Sequence, residues 1–413
     1  MPVLSFEQAL ATVLDRARNV PTSPVETVSL LESAGRVLAQ PILADRDQPP
    51  FDRSTRDGFA VRAAEWSRAD ALRVVGQLRA GDIWRQGELP PGAAVEIMTG
   101  APVLPGADAV AMVEHARLGD NAELRAAEAR QLTPGENIIR RGAEARAGDA
   151  VVQPNTTITA GEIAEAATCG HYELRVYRRP RVAIIATGDE LVEIGQRPAD
   201  HQIRNSNSYA LAALVAASGG DPVRLAIAKD TRDDLRDRIL EGRTCDLLLL
   251  SGGVSAGKYD LVEQVLAEFG AEFLVTGVRM QPGKPVVFGR LLADRLTDPA
   301  QHERYFFGLP GNPISTEVTF HCFVAPMIRA LAGAGVAGPR FVQATLAEEA
   351  PSRPGLTRVL PAHLSPDLHR PNVRLVRWQG SGDLAANARA NCYAVLPEAR
   401  DLHSGDVVTV LLR

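Results

Sequence analysis

Apolar and polar positions change texture several times along the chain. Phe6, Ala9, Leu10, Val13, Leu14 and Ala17 recur at helical spacing behind Ser5 and Gln8, a capping-box pair, so the spacing predicts an opening helix that stops before Pro21. A second helix is expected over 30–38, and Pro49-Pro50 marks a break. Short β-type runs at 73–78, 94–98, 109–114 and 122–126 alternate with Gly and Pro turns and predict a β-rich domain. Helical spacing returns over 159–169, with Thr159 as N-cap. Strands are then expected at 181–186, 223–227, 246–250, 273–278, 285–288 and 304–307, with helices between them at 206–217, 232–240, 261–269 and 314–332. That alternation predicts a doubly wound, mostly parallel sheet with helices on both faces and a ligand site beyond the carboxyl ends of its strands. The remainder returns to short strands and turns, closing in the apolar run 407–412, and reads as a small β-barrel or sandwich.

The expected organisation is an α/β multidomain chain. It has an N-terminal helix (1–24) packed on the α/β domain, a discontinuous helical linking domain (25–48 and 140–178), a β-rich domain (49–139), the α/β domain (179–333) and a C-terminal β-barrel (334–413). At 413 residues the chain is too long for a single core. Its net charge of −5 argues against a nucleic-acid binder that gains affinity by neutralising phosphates. Cys169, Cys245, Cys322 and Cys392 lie far apart, which suits neither a zinc site nor a disulfide framework. The first residues read straight into the amphipathic helix rather than into a signal peptide. No apolar run reaches membrane-spanning length, so a cytoplasmic protein without nucleic-acid or membrane partners is expected.

The segment from Leu247 to Asp260 carries the most chemistry. A four-leucine run reads as a strand buried on both faces, and Ser251-Gly252-Gly253-Val254-Ser255-Ala256-Gly257 then turns into a helical pattern at Leu261. Such a turn leaves backbone N–H groups free for an anion beside the positive end of a helix dipole. Asp260 could cap that helix or hold a metal near a phosphate. Gly257-Lys258 is followed by Tyr259 rather than Ser or Thr, so the segment is not a nucleotide P-loop. Two earlier strand ends run into Thr187-Gly188-Asp189-Glu190 and Lys229-Asp230, so three neighbouring strands deliver carboxylates to one edge. Either these are helix caps, or a divalent cation relieves their repulsion, and an all-oxygen donor set favours Mg2+. Gln281-Pro282-Gly283-Lys284-Pro285 and Leu309-Pro310-Gly311-Asn312-Pro313 read as rigid turns, while Arg140-Arg141 offers paired guanidiniums suited to phosphate oxygens.

These segments, with Ser54-Thr55-Arg56-Asp57-Gly58-Phe59-Ala60-Val61, Ile97-Met98-Thr99-Gly100-Ala101-Pro102, Gly380-Ser381-Gly382 and Ala390-Asn391, together resemble the MoeA family. Its members are molybdopterin molybdenumtransferases, and its eukaryotic relatives include the E domain of gephyrin. The resemblance follows the family's order over nearly the whole chain and implies a MogA-like fold for the α/β domain. It also implies a Mg2+-dependent reaction, in which adenylylated molybdopterin and molybdate become molybdenum cofactor and AMP is released. Carried over residue by residue, it implies catalytic roles for Asp57, Thr99, Glu190, Asp230 and Asp260. Ser251, Gly252, Gly253, Ser255 and Asn312 would bind the pterin phosphate, and Lys284, Pro285 and Ser381 the molybdate. Asp189, Glu190, Asp230 and Asp260 would be the metal ligands. The implied partners are a second copy of the chain, whose Asp57 and Thr99 would act across the interface, a MogA-like adenylyltransferase and molybdoenzyme apoproteins.

Three positions depart from the family's pattern: Gln281 stands where many members have Lys, Ala143 follows Gly142 where Glu is common, and Leu356 follows Gly355 where Arg is common, with Arg358 nearby. The competing readings are a MogA-like molybdopterin adenylyltransferase, which shares the strand–Ser-Gly-Gly turn–Asp pattern, and a non-catalytic pterin-binding scaffold. The additional β domains and the Pro-Gly-Lys-Pro turn favour the transferase.

Overall fold

The leucine run is the strand Leu247–Ser251, set in the middle of a six-stranded sheet between Arg181–Ala186 and Arg304–Leu309 and parallel to both. Its side chains divide between two cores, Leu247 and Leu249 on one face and Leu248 and Leu250 on the other. Burying each leucine is worth about 1.5–3 kcal/mol before chain entropy is counted, which is why so apolar a segment takes a central place. Asp221–Arg224 continues the parallel part, while Val287–Leu291 and Ala271–Val275 are antiparallel at the other edge. Phe6–Ala17, Ser206–Ala217 and the long helical segment 313–331 cover one face, and Arg232–Gly242 and Leu261–Glu268 the other. This computed structural model describes every residue except 1–2, 67, 69–70, 128–129, 254–260, 293–302 and 399.

Local signals explain most element ends. The capping box at Ser5 is formed in both directions, at 3.0 and 3.1 Å, and Thr159 caps its helix in the same way. Segment 313–331 stays continuous although Pro326 has no N–H to return to residue 322, and the ladder widens to a π turn over Phe320–Val324 just before it. The helix expected over 30–38 does not form. Ser33 makes one helical turn back to Ser29, Gly35 reverses the chain at φ +72°, and Val37 and Leu38 pair as bridges with Thr157 and Val176. The left-handed glycine ends the turn, and pairing with a distant segment outweighs local helical spacing.

The strands before and after the α/β domain form two further units. Ala109–Met112, Gly58–Val61, Ala93–Ile97, Leu72–Leu78, Glu123–Ala126 and Ala116–Leu118 make a six-stranded sheet in that spatial order. At the other end Thr357–Ser365, Asn372–Leu375, Phe341–Leu346, Val407–Leu412 and Cys392–Leu396 pair in a ring that closes on itself, a barrel rather than a sandwich. A separate apolar cluster draws Leu38, Ile42 and Ala44 together with Ala145, Ile158, Leu174 and Val176. No described helix is long and apolar enough to cross a membrane.

A buried polar knot fixes the barrel to segment 313–331. Glu317 is 8% exposed and accepts from Asn387, while Arg413 lies 2.5 Å away and the His321 ring nitrogen 3.7 Å. Tyr393 donates to the same Asn387 at 2.8 Å. Burial pushes the Glu317 carboxyl up, but His321, Arg413 and Asn387 together bring it below the usual range. Removing it leaves the buried Asn387 amide without its acceptor and the part-buried Arg413 without its carboxylate, so Glu317→Ala is expected to lower stability by about 2 kcal/mol in urea unfolding. Because the folded-state pKa lies under the ordinary 4.5, the advantage of wild type over Glu317→Gln is expected to be full above pH 4.5 and to shrink as pH falls below it. Thermal midpoints of both proteins across pH check this.

Candidate active site

Three parallel strands end side by side, and their turns are bonded to one another. Thr187 sits at the end of Arg181–Ala186, buried, and its hydroxyl donates to Asp230 Oδ1 at 2.7 Å. The Asp230 N–H in turn donates to Asp189 Oδ1 at 3.2 Å. Two of the expected acidic residues, both exposed, are therefore linked through the Asp230 backbone. Glu190 folds back over Gly188, where a Cβ would stand 2.6 Å from its carboxylate, and Glu190 lines the adjoining cleft. Among the described residues no three His, Cys, Asp or Glu side chains form a ready-made metal cage. Asp260 and Ser255 lie outside the described residues.

The glycine turn lies against this ledge. Gly252 and Gly253 have φ of +91° and +64°, and a Cβ on Gly252 would lie 2.5 Å from the Thr187 carbonyl oxygen, so only glycine fits. The buried Ser251 hydroxyl accepts from Asn207 Nδ2 at 3.1 Å. The same amide donates to the Gly311 carbonyl at 2.7 Å, joining the glycine turn to the Pro310-Gly311-Asn312 turn. Thr316 braces that second turn by donating to the Pro310 and Asn312 carbonyls at 2.5 and 3.1 Å. A cleft of about 660 Å³ opens between these turns, lined among others by Glu190, Arg204, Asn207, Ser251, Asn312 and Leu384, a volume in the range of small-molecule sites.

The barrel reaches the same place. The Ser381 carbonyl accepts from the Ile314 N–H at 3.0 Å, and Gly382 and Leu384 line the cleft. The Pro282-Gly283-Lys284-Pro285 turn rests on the same helical segment further along, where a Gly283 Cβ would meet Thr319 at 2.6 Å. Five residues separate Ile314 from Thr319, roughly 7.5 Å of helix axis. Ser381 and the Lys284 turn thus share one support but make no direct contact with each other among the contacts described. Asp57 and Thr99 form a pair of their own in the β-rich domain. Thr99 donates to Asp57 Oδ1 through its amide at 2.7 Å and its hydroxyl at 2.8 Å, and these bonds hold the exposed carboxyl below its ordinary range. This pair does not line the cleft of its own chain.

Arg140 and Arg141 each meet an acid of the same chain. Asp52 takes Arg140 at 2.6 Å and Asp47 takes Arg141 at 2.7 Å. Sequence reasoning passed over Asn207 and Thr187. The dense Asn205-Ser206-Asn207-Ser208 run was a usable signal, since one asparagine suffices to cap a helix and Asn205 does so here.

Parallel strand ends, a glycine turn and flanking carboxylates, roofed by a second domain, define an α/β protein with a cleft suited to a phosphorylated ligand. Residues 4–170 match the family model of the MoeA N-terminal region (domain I and II), 183–330 a probable molybdopterin binding domain, and 343–412 the MoeA C-terminal region (domain IV). A molybdopterin molybdenumtransferase of Nostoc sp. is 37% identical over 396 residues, covering 94% of this chain and 88% of that protein. One of Haemophilus influenzae is 31% identical, covering 99% and 98%. The crystal structure of the molybdopterin biosynthesis moeA protein from Pyrococcus horikoshii OT3 superposes with a TM-score of 0.81 at 26% identity, over 100% of both chains. The chain belongs to the MoeA family, the molybdopterin molybdenumtransferases.

If the Asn207 amide is what holds the two turns together, Asn207→Ala should raise amide hydrogen exchange at Gly252 and around Gly311 about tenfold while the leucine strand stays protected. Unchanged exchange at both turns would mean that they hold themselves.

Proposed function

We propose that this protein inserts molybdate into adenylylated molybdopterin, forming molybdenum cofactor with release of AMP. The observation that carries the reading is the end-to-end likeness to proteins named for that activity, which spans the β-rich domain and barrel as well as the α/β domain. It therefore outweighs a MogA-like adenylyltransferase, whose pattern concerns the α/β domain alone.

Within this reading Ser251, Gly252, Gly253 and the Asn312 turn surround the pterin's phosphate, although the Gly252 N–H itself is spent on the Leu309 carbonyl at 3.2 Å. Lys284, Pro285 and Ser381 receive molybdate, a tetrahedral dianion that must be held loosely enough for the dithiolene sulfurs to displace its oxygens. Asp189, Glu190 and Asp230 suit Mg2+ in donor chemistry, since that ion is typically bound by one or two carboxylates completed by substrate phosphate oxygens. Bound there, it would spread the charge on the phosphates. The Thr187 hydroxyl holds the Asp230 carboxylate, and the Asp230 amide holds that of Asp189.

The protein acts as a homodimer in this proposal, with Asp57 and Thr99 of one subunit completing the cleft of the other. What supports it is that the pair is exposed yet lies outside its own chain's cleft. A cytoplasmic setting suits four free, buried cysteines.

Purified protein given adenylylated molybdopterin, molybdate and Mg2+ is expected to release AMP, and Asp230→Asn to lower that rate about a hundredfold or more without unfolding. Inactive Asp57→Ala and Asp230→Asn subunits, dissociated and remixed, should regain about a quarter of the wild-type rate, because half the dimers are mixed and each has one intact cleft. No recovery on mixing would rule out a shared cleft. AMP transfer to the pterin from ATP, without a partner enzyme, would instead favour the adenylyltransferase.

A further inference from the structure

The α/β domain and the barrel meet along a two-residue pairing, Met280–Gln281 with Thr357–Arg358, in which Gln281 lies opposite Arg358. Arg279, Lys284, Arg353 and Arg358 all lie on or beside this seam. Among the described residues none of the four makes an ion pair with a carboxylate. Elsewhere in the same two domains Arg232, Arg238, Arg290 and Arg400 each find one. Asp401, the acid bound beside Arg353, spends one oxygen on the Ser352 N–H at 2.6 Å.

The two barrel arginines are positioned rather than loose. Arg353 Nη1 donates to Gln281 Oε1 at 3.2 Å, across the domain boundary. Arg358 Nη1 donates to the Pro351 carbonyl at 2.7 Å, and its Nε is buried with no partner. Burial and, next, the nearby Arg353 disfavour the charged form of Arg358. Two guanidiniums, neither in an ion pair and one of them half-buried, leave donor capacity and positive charge for an anion.

We infer that Arg353 and Arg358 complete an oxyanion seat with Lys284, so that the barrel supplies this chain with the cations that Gln281 and Leu356 do not. The inference rests on the transferase reading for the identity of the oxyanion. Gln281 is then the acceptor that orients Arg353. A guanidinium fork suits a tetrahedral oxyanion, since it can present two parallel N–H donors to adjacent oxygens.

The test is molybdate binding to the full-length protein, measured by equilibrium dialysis with metal counting. Arg353→Gln and Arg358→Gln are each expected to raise the dissociation constant about tenfold. Arg400→Gln, also on the barrel but paired with Asp406, should stay within about twofold of wild type. Affinity for adenylylated molybdopterin should likewise hold within about twofold in the two glutamine variants. If Arg358→Gln fails to fold, the exposed Arg353 carries the test. Wild-type molybdate affinity in both glutamine variants, or no molybdate binding by the wild-type protein, overturns the seat. Arginine-dependent binding without AMP release by the wild type would leave the seat standing and bring down the transferase reading. AMP release with arginine-independent binding would do the reverse.

Discussion

One side-chain amide bonds to both turns of the cleft. Parallel strands end in turns that have no intrinsic reason to agree in height or direction, and each carries backbone groups that would otherwise go to water. Asn207 Nδ2 reaches the Ser251 hydroxyl and the Gly311 carbonyl, so that turns from two neighbouring strands share one donor. Thr187 does the same on the other side through Asp230. The glycines can approach so closely because they lack a Cβ, and the approach persists because these hydrogen bonds satisfy the groups brought together. Position and rigidity of the cleft follow from this stitching more than from any single strand.

Much of the framework was legible because its signals are local. Ser206–Ala217 and Arg181–Ala186 fall where the pattern puts them, one set by a cap and apolar spacing, the other by an unbroken buried run. The closed barrel was less legible, since ring closure depends on which strands pair and not on what each strand is. Residues 30–38 misled because their spacing is helical while Gly35 and a distant partner segment decide otherwise.

The site was legible in kind and not in wiring. Topology alone brings Asp189 and Asp230 to one edge, because consecutive parallel strands end together. Asn207 was harder to read: the run around it marks a polar residue to spare, but its partners lie 44 and 104 residues away, so its task shows only in the fold. Arg140 and Arg141 have distant partners too. Their pairing looked suited to phosphate, and nothing near them in the chain shows that Asp52 and Asp47, 88 and 94 residues distant, each bind one of them. At the seam, Gln281 appeared as a lost cation, and only the fold reveals the guanidinium that leans on it.

The grip of Thr99 on Asp57 carries a chemical corollary. A carboxylate that receives both an amide and a hydroxyl hydrogen on one oxygen is stabilised as the anion. At neutral pH such a group is an acceptor only, with no hydrogen of its own to hand over. Whatever group meets this carboxylate must therefore bring the hydrogen of any bond between them.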